Sequence, residues 1–277
     1  MPSKITYTEN ELKNIIDKYT NGITIRQLEK DLGIPRKRIS NILKNNNIPI
    51  RTNVINSRKY YHDEHYFDNI DTEEKAYWLG FIYADGFIES KRKTYSQKFG
   101  ICLSAKDKKH LEKFKAAIKS NNPIYDYIGS GYNKNGIFSK ILLCSDITVN
   151  ALKKHGVIEN KTLIAKFPHI DQNLVNHLIR GYFDGDGSIY YVNCKYKNGC
   201  NKIGISFTGT YDIIQNIISY FGYNRKIYKK HNAYYIIFSG KNVVNKIINS
   251  LYSNSTIYLD RKRKIALEYQ EKMKVRV

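Results

Sequence analysis

Apolar residues recur at helical spacing in three short stretches within residues 1–50. Thr8, with Glu11 three positions later, has the pattern of an N-terminal capping box. Gly33 and Pro35 mark a turn before the third stretch, and Pro is favoured in the first turn of a helix. The sequence therefore predicts three helices here. Their apolar faces are Leu12, Ile15, Ile16 and Tyr19; Ile25, Leu28 and Leu32; and Ile39, Ile42 and Leu43.

The remainder of the chain contains a repeat of about 100 residues, which is too long for a solenoid unit. The matching segments are 78–86 with 179–187, 99–104 with 203–208, and 163–166 with 259–262. They occur in the same order in both copies, at offsets of 101, 104 and 96 residues. The sequence therefore predicts two similar subdomains related by a pseudo-two-fold axis.

Each copy contains a helix that ends in Asp-Gly, then two strands, a helix, two further strands and another helix. One strand of each copy alternates apolar residues with small, polar or basic ones, so that one sheet face can pack helices and the other can meet a ligand. The apolar positions are Phe99, Ile101 and Leu103 in one copy and Ile203, Ile205 and Phe207 in the other. We expect an α+β fold of two αββαββα subdomains with antiparallel sheets. The expected boundaries are a helical module at 1–50, a linker at 51–72 and repeats at 73–172 and 173–277.

The net charge of +21, from 46 Lys and Arg against 25 Asp and Glu, favours a polyanionic partner such as nucleic acid. Lys, Asn, Ile and Tyr have AT-rich codons, so an AT-rich genome accounts for part of the Lys count. We find no run of about 18 apolar residues that would span a membrane. The four cysteines lack zinc-site spacing, which fits a reducing, intracellular compartment such as phage-infected or bacterial cytoplasm, or an AT-rich organelle.

The third predicted helix is basic and follows a Gly-containing turn. The segment 22–43 resembles the helix-turn-helix of resolvase-like DNA-binding proteins, whose second helix enters the major groove. Arg and Asn can contact guanine and adenine edges, whereas Lys suits phosphate. A small three-helix bundle with a solvated basic face is the alternative. The candidate DNA contacts are Arg36, Lys37, Arg38, Asn41 and Lys44, with Arg51 beyond them on the phosphate backbone.

Small residues lie four positions apart in both Asp-Gly helices, so they share a face on which two helix backbones can approach closely. These residues are Gly80 and Ala84 in the first helix and Gly181 and Gly185 in the second. Asp85 and Asp186 follow in the last turns, each before a Gly that can take the left-handed cap. A carboxylate is disfavoured at a helix C-terminus, and two meeting at a pseudo-dyad repel each other. A bound divalent cation removes both penalties, and Mg²⁺ suits a site with one or two carboxylates.

The motif copies 78–86 and 179–187, with the ending Tyr-Leu-Asp-Arg-Lys at 258–262, resemble the LAGLIDADG homing endonucleases in their single-chain, two-repeat form. The resemblance covers residues 60–275 and implies saddle-like DNA-binding sheets and cleavage of both strands at a long, low-symmetry site. The family usually has an acidic residue at the motif position that Tyr83 occupies in the first copy. The second copy has an acidic residue there, Asp184.

The resemblance also implies roles for particular residues. Asp85 and Asp186, with the backbone carbonyls of Ala84 and Gly185, would bind Mg²⁺, or Mn²⁺ in its place. One basic residue per repeat would support cleavage. The repeat match indicates Lys166 and Lys262, with Lys106 as the alternative in the first repeat. The further DNA contacts would be Arg92, Lys93, Lys98, Lys134, Lys140, Lys195, Lys197, Lys202, Arg225, Lys229 and Lys230.

Three functions fit the resemblance. The first is a site-specific double-strand DNA endonuclease that acts as a monomer with internal pseudo-symmetry. The second is an RNA-splicing maturase, and the third is a DNA-binding regulator that has the fold but does not cleave. Two motif acids favour the nuclease over the regulator. The helix-turn-helix pattern favours duplex DNA over RNA, whose deep major groove does not admit a helix.

Overall fold

The structure is a computed structural model of the 277-residue chain. It divides into two compact units, Met1–Tyr61 and His62–Val277. The structure describes residues 7–51, 59–90, 96–130, 134–191 and 203–274.

The first unit contains the three helices that the apolar spacing predicts. They are α1 (Glu9–Thr20), α2 (Ile25–Leu32) and α3 (Arg36–Asn45). The Thr8 hydroxyl accepts a hydrogen bond from the Glu11 amide at 3.3 Å, and the Glu11 carboxylate accepts one from the Thr8 amide at 2.8 Å, which completes the capping box. Gly33, at φ 65°, ends α2 in the left-handed conformation. The core of this unit is Ile15, Tyr19, Leu28, Ile39, Ile42 and Leu43.

The second unit contains two copies of the order αββαββα, followed by a last helix. The first copy is α4 (Glu73–Asp85), β1 (Gly86–Ile88), β2 (Lys98–Ser104), α5 (Lys108–Ala117), β3 (Ile124–Ile128), β4 (Ile137–Cys144) and α6 (Asp146–Lys154). The second is α7 (Val175–Asp186), β5 (Ser188–Tyr191), β6 (Ile203–Gly209), α8 (Tyr211–Phe221), β7 (Tyr228–Lys230), β8 (Ala233–Phe238) and α9 (Lys241–Tyr252), and α10 is Asp260–Lys274. Short 3-10 turns lie at Lys161–Leu163 and Gln172–Leu174.

The two sheets have the same topology. Their strand orders are β1-β2-β4-β3 and β5-β6-β8-β7, and every neighbouring pair is antiparallel. The alternation in β2 and β6 is as the sequence predicts, because the six apolar positions of these strands are all buried. The helices therefore cover one face of each sheet, and the other face is left toward solvent.

A partly buried ion pair joins the start of α4 to the second repeat. The Arg180 side chain on α7 is 1% exposed, and its Nη2 donates to Glu73 Oε1 at 2.7 Å. Arg180 Nε donates to the Ile257 carbonyl at 2.9 Å, and the Thr256 amide donates to the same Glu73 oxygen at 2.9 Å. Because a buried charge is costly without partners, these contacts fix how the repeats meet.

The predicted linker at 51–72 is shorter in the structure, because its second half belongs to the core of the second unit. Phe67 is fully buried and Tyr66 is 7% exposed. The Asp63 amide donates to the Ile118 carbonyl at 2.8 Å, and the His155 ring nitrogen lies 2.9 Å from the Phe67 carbonyl. The segment around Tyr66 and Phe67 is mostly polar, so the sequence alone did not indicate that these two side chains are buried.

In the described part of the chain, no helix combines the length and the apolar character that crossing a membrane requires.

Candidate active site and nucleic-acid interface

The candidate site lies where α4 and α7 cross. Both helices need glycine at the crossing: a Cβ on Gly80 would lie 2.0 Å from the Leu178 carbonyl oxygen, and one on Gly181 would lie 1.9 Å from that of Tyr77. One turn later, a Cβ on Gly185 would lie 2.3 Å from that of Ala84. The small residues spaced four apart thus bring the helices into backbone contact.

Asp85 and Asp186 are the last residues of these two helices, so the crossing carries both acids to one place. Their capping glycines differ from expectation. Gly86 and Gly187 have φ of −80° and −78°, which is not the left-handed region. A Cβ on Gly86 would lie 2.7 Å from Ile82 atoms, and one on Gly187 would lie 2.2 Å from the Phe183 ring. Glycine is needed at these ends for close packing against the preceding turn, not for backbone handedness.

The two carboxylates are close enough to affect each other. Burial and then the charge of Asp186 raise the pKa of Asp85 to about 7, although Lys262 and Lys161 lower it. Burial also raises the pKa of Asp186, against the same two lysines. Both side chains are surrounded by protein atoms on one side but still reach solvent, because Asp85 is half-buried and Asp186 is exposed by surface area. Both carboxylates therefore remain accessible to a ligand. A Cβ on Gly185 would lie 3.1 Å from Asp85 Oδ2, which places this acid against the opposite helix.

Two lysines meet the carbonyl ends of the same helices. Lys161 Nζ donates to the carbonyls of Gly86 at 2.6 Å and Ala84 at 3.4 Å. Lys262 Nζ donates to those of Gly187 at 2.6 Å and Gly185 at 3.1 Å, and also to those of Phe183 and Asp184 at 2.6 and 2.8 Å. Burial lowers the pKa of both lysines, to about 8 for Lys262. The hydrogen bonds to the helix-end carbonyls hold both ammonium groups near the two acids, whose pKa values they lower.

Lys161, which the repeat pattern did not indicate, occupies the place in the first repeat that Lys262 has in the second. Lys166 and Lys106 are exposed. The match of 163–166 with 259–262, at an offset of 96 residues, pairs Lys166 with Lys262, whereas the structure places Lys161 against the equivalent helix end. Lys161 and Lys262 are 101 residues apart, as are Asp85 and Asp186. This shared offset is the signal that identifies Lys161.

Tyr83 and Asp184 are likewise 101 residues apart, and both support the helix ends from inside. Asp184 is 1% exposed and accepts hydrogen bonds from the hydroxyls of Tyr77 and Tyr252 and from the Leu259 amide, each at 2.7 Å. The Tyr83 hydroxyl instead donates to the His155 carbonyl at 2.6 Å. In the first repeat, Tyr83 thus binds a neighbouring segment through its hydroxyl group, as Asp184 does in the second repeat through its carboxylate.

The outward faces of the two sheets form the candidate nucleic-acid interface. Aromatic side chains stack there in corresponding places, Tyr127 with Phe138 at 5.8 Å between centroids and Tyr228 with Tyr235 at 5.3 Å. Lys140 Nζ lies 5.3 Å from the Tyr127 ring centroid. Exposed aromatic rings next to lysines are a surface on which nucleic acid can bind by stacking and by charge.

The predicted basic contacts of the second unit have varied surroundings. Lys134, Lys229 and Lys230 are exposed, Arg225 is half-buried, and Lys98 Nζ lies 3.8 Å from Glu89 Oε2. Five further predicted contacts lie outside the described residues, namely Arg92, Lys93, Lys195, Lys197 and Lys202.

In the first unit, α3 presents its predicted contacts to solvent. Arg36, Lys37, Arg38, Asn41 and Lys44 are all exposed. Arg36 Nε also binds Glu29 Oε2 of α2, at 2.5 Å. Arg51 differs: its guanidinium lies 4.1 Å over the Tyr19 ring and donates to the carbonyls of Tyr19, at 2.9 Å, and Ile23. Arg51 thus closes the core of this unit, and its guanidinium is engaged there.

No family model and no curated protein matches the sequence. Solved structures share its fold. The LAGLIDADG meganuclease I-AabMI bound to uncleaved DNA has a TM-score of 0.52 at 16% identity, over 72% of this chain and 90% of that one. The LAGLIDADG homing endonuclease I-LtrWI bound to target DNA gives 0.51 at 15% identity, over 76% and 92%. I-SmaMI, bound to cleaved DNA, gives 0.50 at 15%, over 73% and 89%. At such identities the likeness establishes the LAGLIDADG fold.

Proposed function

We propose that this chain is a site-specific, double-strand DNA endonuclease of the homing endonuclease type, dependent on Mg²⁺ or Mn²⁺. One observation carries the proposal: the crossing of α4 and α7 brings Asp85 and Asp186 together, each with a lysine against its helix end. The solved structures of the same fold, whose names describe them as DNA-bound endonucleases, support it. Since one chain supplies both repeats, we propose that it acts as a monomer.

The donor atoms fit a hard divalent cation. Among the described residues, no three His, Cys, Asp or Glu side chains come together. We propose the carboxylates of Asp85 and Asp186 as the metal-binding pair. Mg²⁺ is suited by one or two carboxylates with phosphate oxygens and waters. Burial and then the charge of Asp186 raise the pKa of Asp85 to about 7 despite two nearby lysines. A cation bound beside this acid would favour its ionised form. When bound, such a cation activates water and stabilises the leaving oxygen of a phosphodiester.

The carbonyls of Ala84 and Gly185 are the remaining proposed ligands. Each accepts a hydrogen bond from a lysine, at 3.4 Å from Lys161 and 3.1 Å from Lys262. A carbonyl oxygen has two lone pairs and can serve a second partner. The lysines thus orient the helix ends and add positive charge where a phosphate would approach. We assign the supporting role in the first repeat to Lys161 in preference to Lys166.

The outward sheet faces and α3 would supply DNA affinity. Lys140, Lys229, Lys230 and the other basic residues of the sheets would position the phosphate backbone, which fixes register without reading sequence. In the first unit, the exposed side chains of Arg38 and Asn41 suit base edges in a major groove. Arg51 is not among our proposed contacts, because its guanidinium is committed to the Tyr19 ring.

The test begins with selection of bound sequences from a randomised duplex library by the full chain in EDTA. We expect a long, low-symmetry site, cleaved on both strands when Mg²⁺ or Mn²⁺ is added and left intact in EDTA. The double variant Arg38→Ala, Asn41→Ala should shorten the protected footprint at one end. A bound duplex that stays intact with either metal would indicate the non-cleaving regulator. Preference for folded RNA over every duplex would indicate the maturase.

A further inference from the structure

A groove of about 610 Å³ crosses the outward face of the second sheet. Its floor is formed by hydroxyl and apolar side chains, and Leu163 from the 3-10 turn closes one side. Lys230 and His231 lie among its lining residues, and none of the described residues that line it is an Asp or Glu. The floor consists of Tyr190, Ser206, Thr208, Tyr235 and Ile237.

The first sheet carries different chemistry at the matching positions. The buried pairs Ile101–Ile141 and Ile205–Phe238 correspond in the two sheets, so the next outward pairs correspond as well. These outward pairs are Cys102 with Lys140 in the first sheet and Ser206 with Ile237 in the second. Where one sheet presents a cation, the other presents an aliphatic side chain that is 39% exposed.

An exposed isoleucine beside hydroxyl groups matches one base edge better than the others. In the major groove, thymine shows a C5-methyl group and the O4 acceptor, whereas guanine is read by Arg or Lys and cytosine by Asp or Glu. Ile237, Leu163 and the Thr208 methyl offer apolar contact, and the hydroxyls of Ser206 and Tyr235 can donate to O4. Of the described side chains that line this groove, Lys230 alone is a guanine reader, and it is equally suited to phosphate.

We propose that this groove reads a run of A·T base pairs, by contact with thymine methyl groups, in the half-site bound by the second repeat. The inference rests on the proposed DNA endonuclease function and adds its sequence class. Lys230, which is exposed on the edge strand β7 and lines the groove, gives positive charge where a duplex backbone would lie beside it.

The experiment scans a selected duplex by replacing each thymine with uracil, which removes only the methyl group. Binding by the full chain is measured in EDTA. We expect each contacted thymine to lose about four-fold in affinity, as for one buried methylene group, with the sensitive positions confined to one half-site. Uniform insensitivity in a duplex that is still bound and cut would overturn the inference and leave the function standing. Absence of any duplex binding would overturn both.

Reciprocal variants locate the effect in the groove. Ile237→Lys gives the second sheet the residue of the first, so we expect it to remove uracil sensitivity in that half-site and to favour guanine there. Lys140→Ile is the matched control, because it changes the first sheet, and it should leave the uracil sensitivity of that half-site unchanged. Thr208→Ser removes a methyl and keeps the hydroxyl, so it tests the same contact with a minimal change to the fold. Sensitivity that survives in both Ile237→Lys and Thr208→Ser would place the methyl contact elsewhere and overturn the inference.

Discussion

Two ammonium groups stand beside two carboxylates at the candidate site, and their surroundings differ. Among the described residues, Lys262 Nζ has four main-chain carbonyl oxygens within hydrogen-bonding distance for its three N–H groups, whereas Lys161 Nζ has two. Lys161 is therefore the less constrained of the pair, and its charge can turn toward a phosphate with fewer hydrogen bonds to break. Since burial depresses the pKa of both, charge on either lysine depends on the nearby acids.

At the residue scale, Lys161→Met removes the charge but keeps the length of the side chain. We expect cleavage to slow by about 10²-fold, comparable to removing one electrostatic donor from an active site, while DNA affinity changes little. Lys166→Met is the matched control, because Lys166 is exposed, and its rate should stay within about two-fold of wild type. A slower Lys166 variant with an unimpaired Lys161 variant would reverse our assignment. Single-turnover kinetics on the selected duplex measures both.

At the element scale, periodicity predicts the helices and strands well because it reports which face is buried. The alternation of β2 and β6 and the crossing of α4 and α7 both follow from local spacing. Lys161 could not be found in this way, since its role depends on reaching a helix end 75 residues earlier in the chain, at Gly86. The roles of Gly86 and Gly187 and the burial of Phe67 also depend on tertiary packing, which a single local pattern does not report.

The helix crossing gives a direct prediction. Gly181→Ala should destabilise the second unit by about 3 kcal/mol or more, because its Cβ would lie 1.9 Å from a backbone carbonyl oxygen that cannot move aside. Gly222→Ala is the control: its Cβ meets open space at φ 68°, so only about 1 kcal/mol of backbone strain is expected. Fluorescence of Trp78, which is the single tryptophan and is buried in this unit, follows unfolding in denaturant. Equal losses in both variants would contradict close contact at the crossing.

At the scale of the whole molecule, a chain with net charge +21 brings two Asp side chains close to each other at the crossing of α4 and α7. Each of the two pseudo-symmetric repeats contributes one helix end, one acid and one buried lysine to this crossing, and each has one outward sheet face. The faces are not equivalent, because Lys140 and Ile237 occupy matching positions. Such a molecule suits a duplex whose two halves differ in sequence, with the acids at its centre.

The measurement that bears most directly on this proposal is the cleavage of a supercoiled plasmid carrying the selected site, by wild type and by the double variant Asp85→Asn, Asp186→Asn. In Mg²⁺ we expect wild type to linearise the plasmid. The double variant should give neither nicked nor linear product, because it lacks the proposed metal-binding carboxylates, and its affinity for the duplex should stay within about three-fold of wild type. Linearisation by the double variant at the wild-type rate would show that these acids do not carry the reaction.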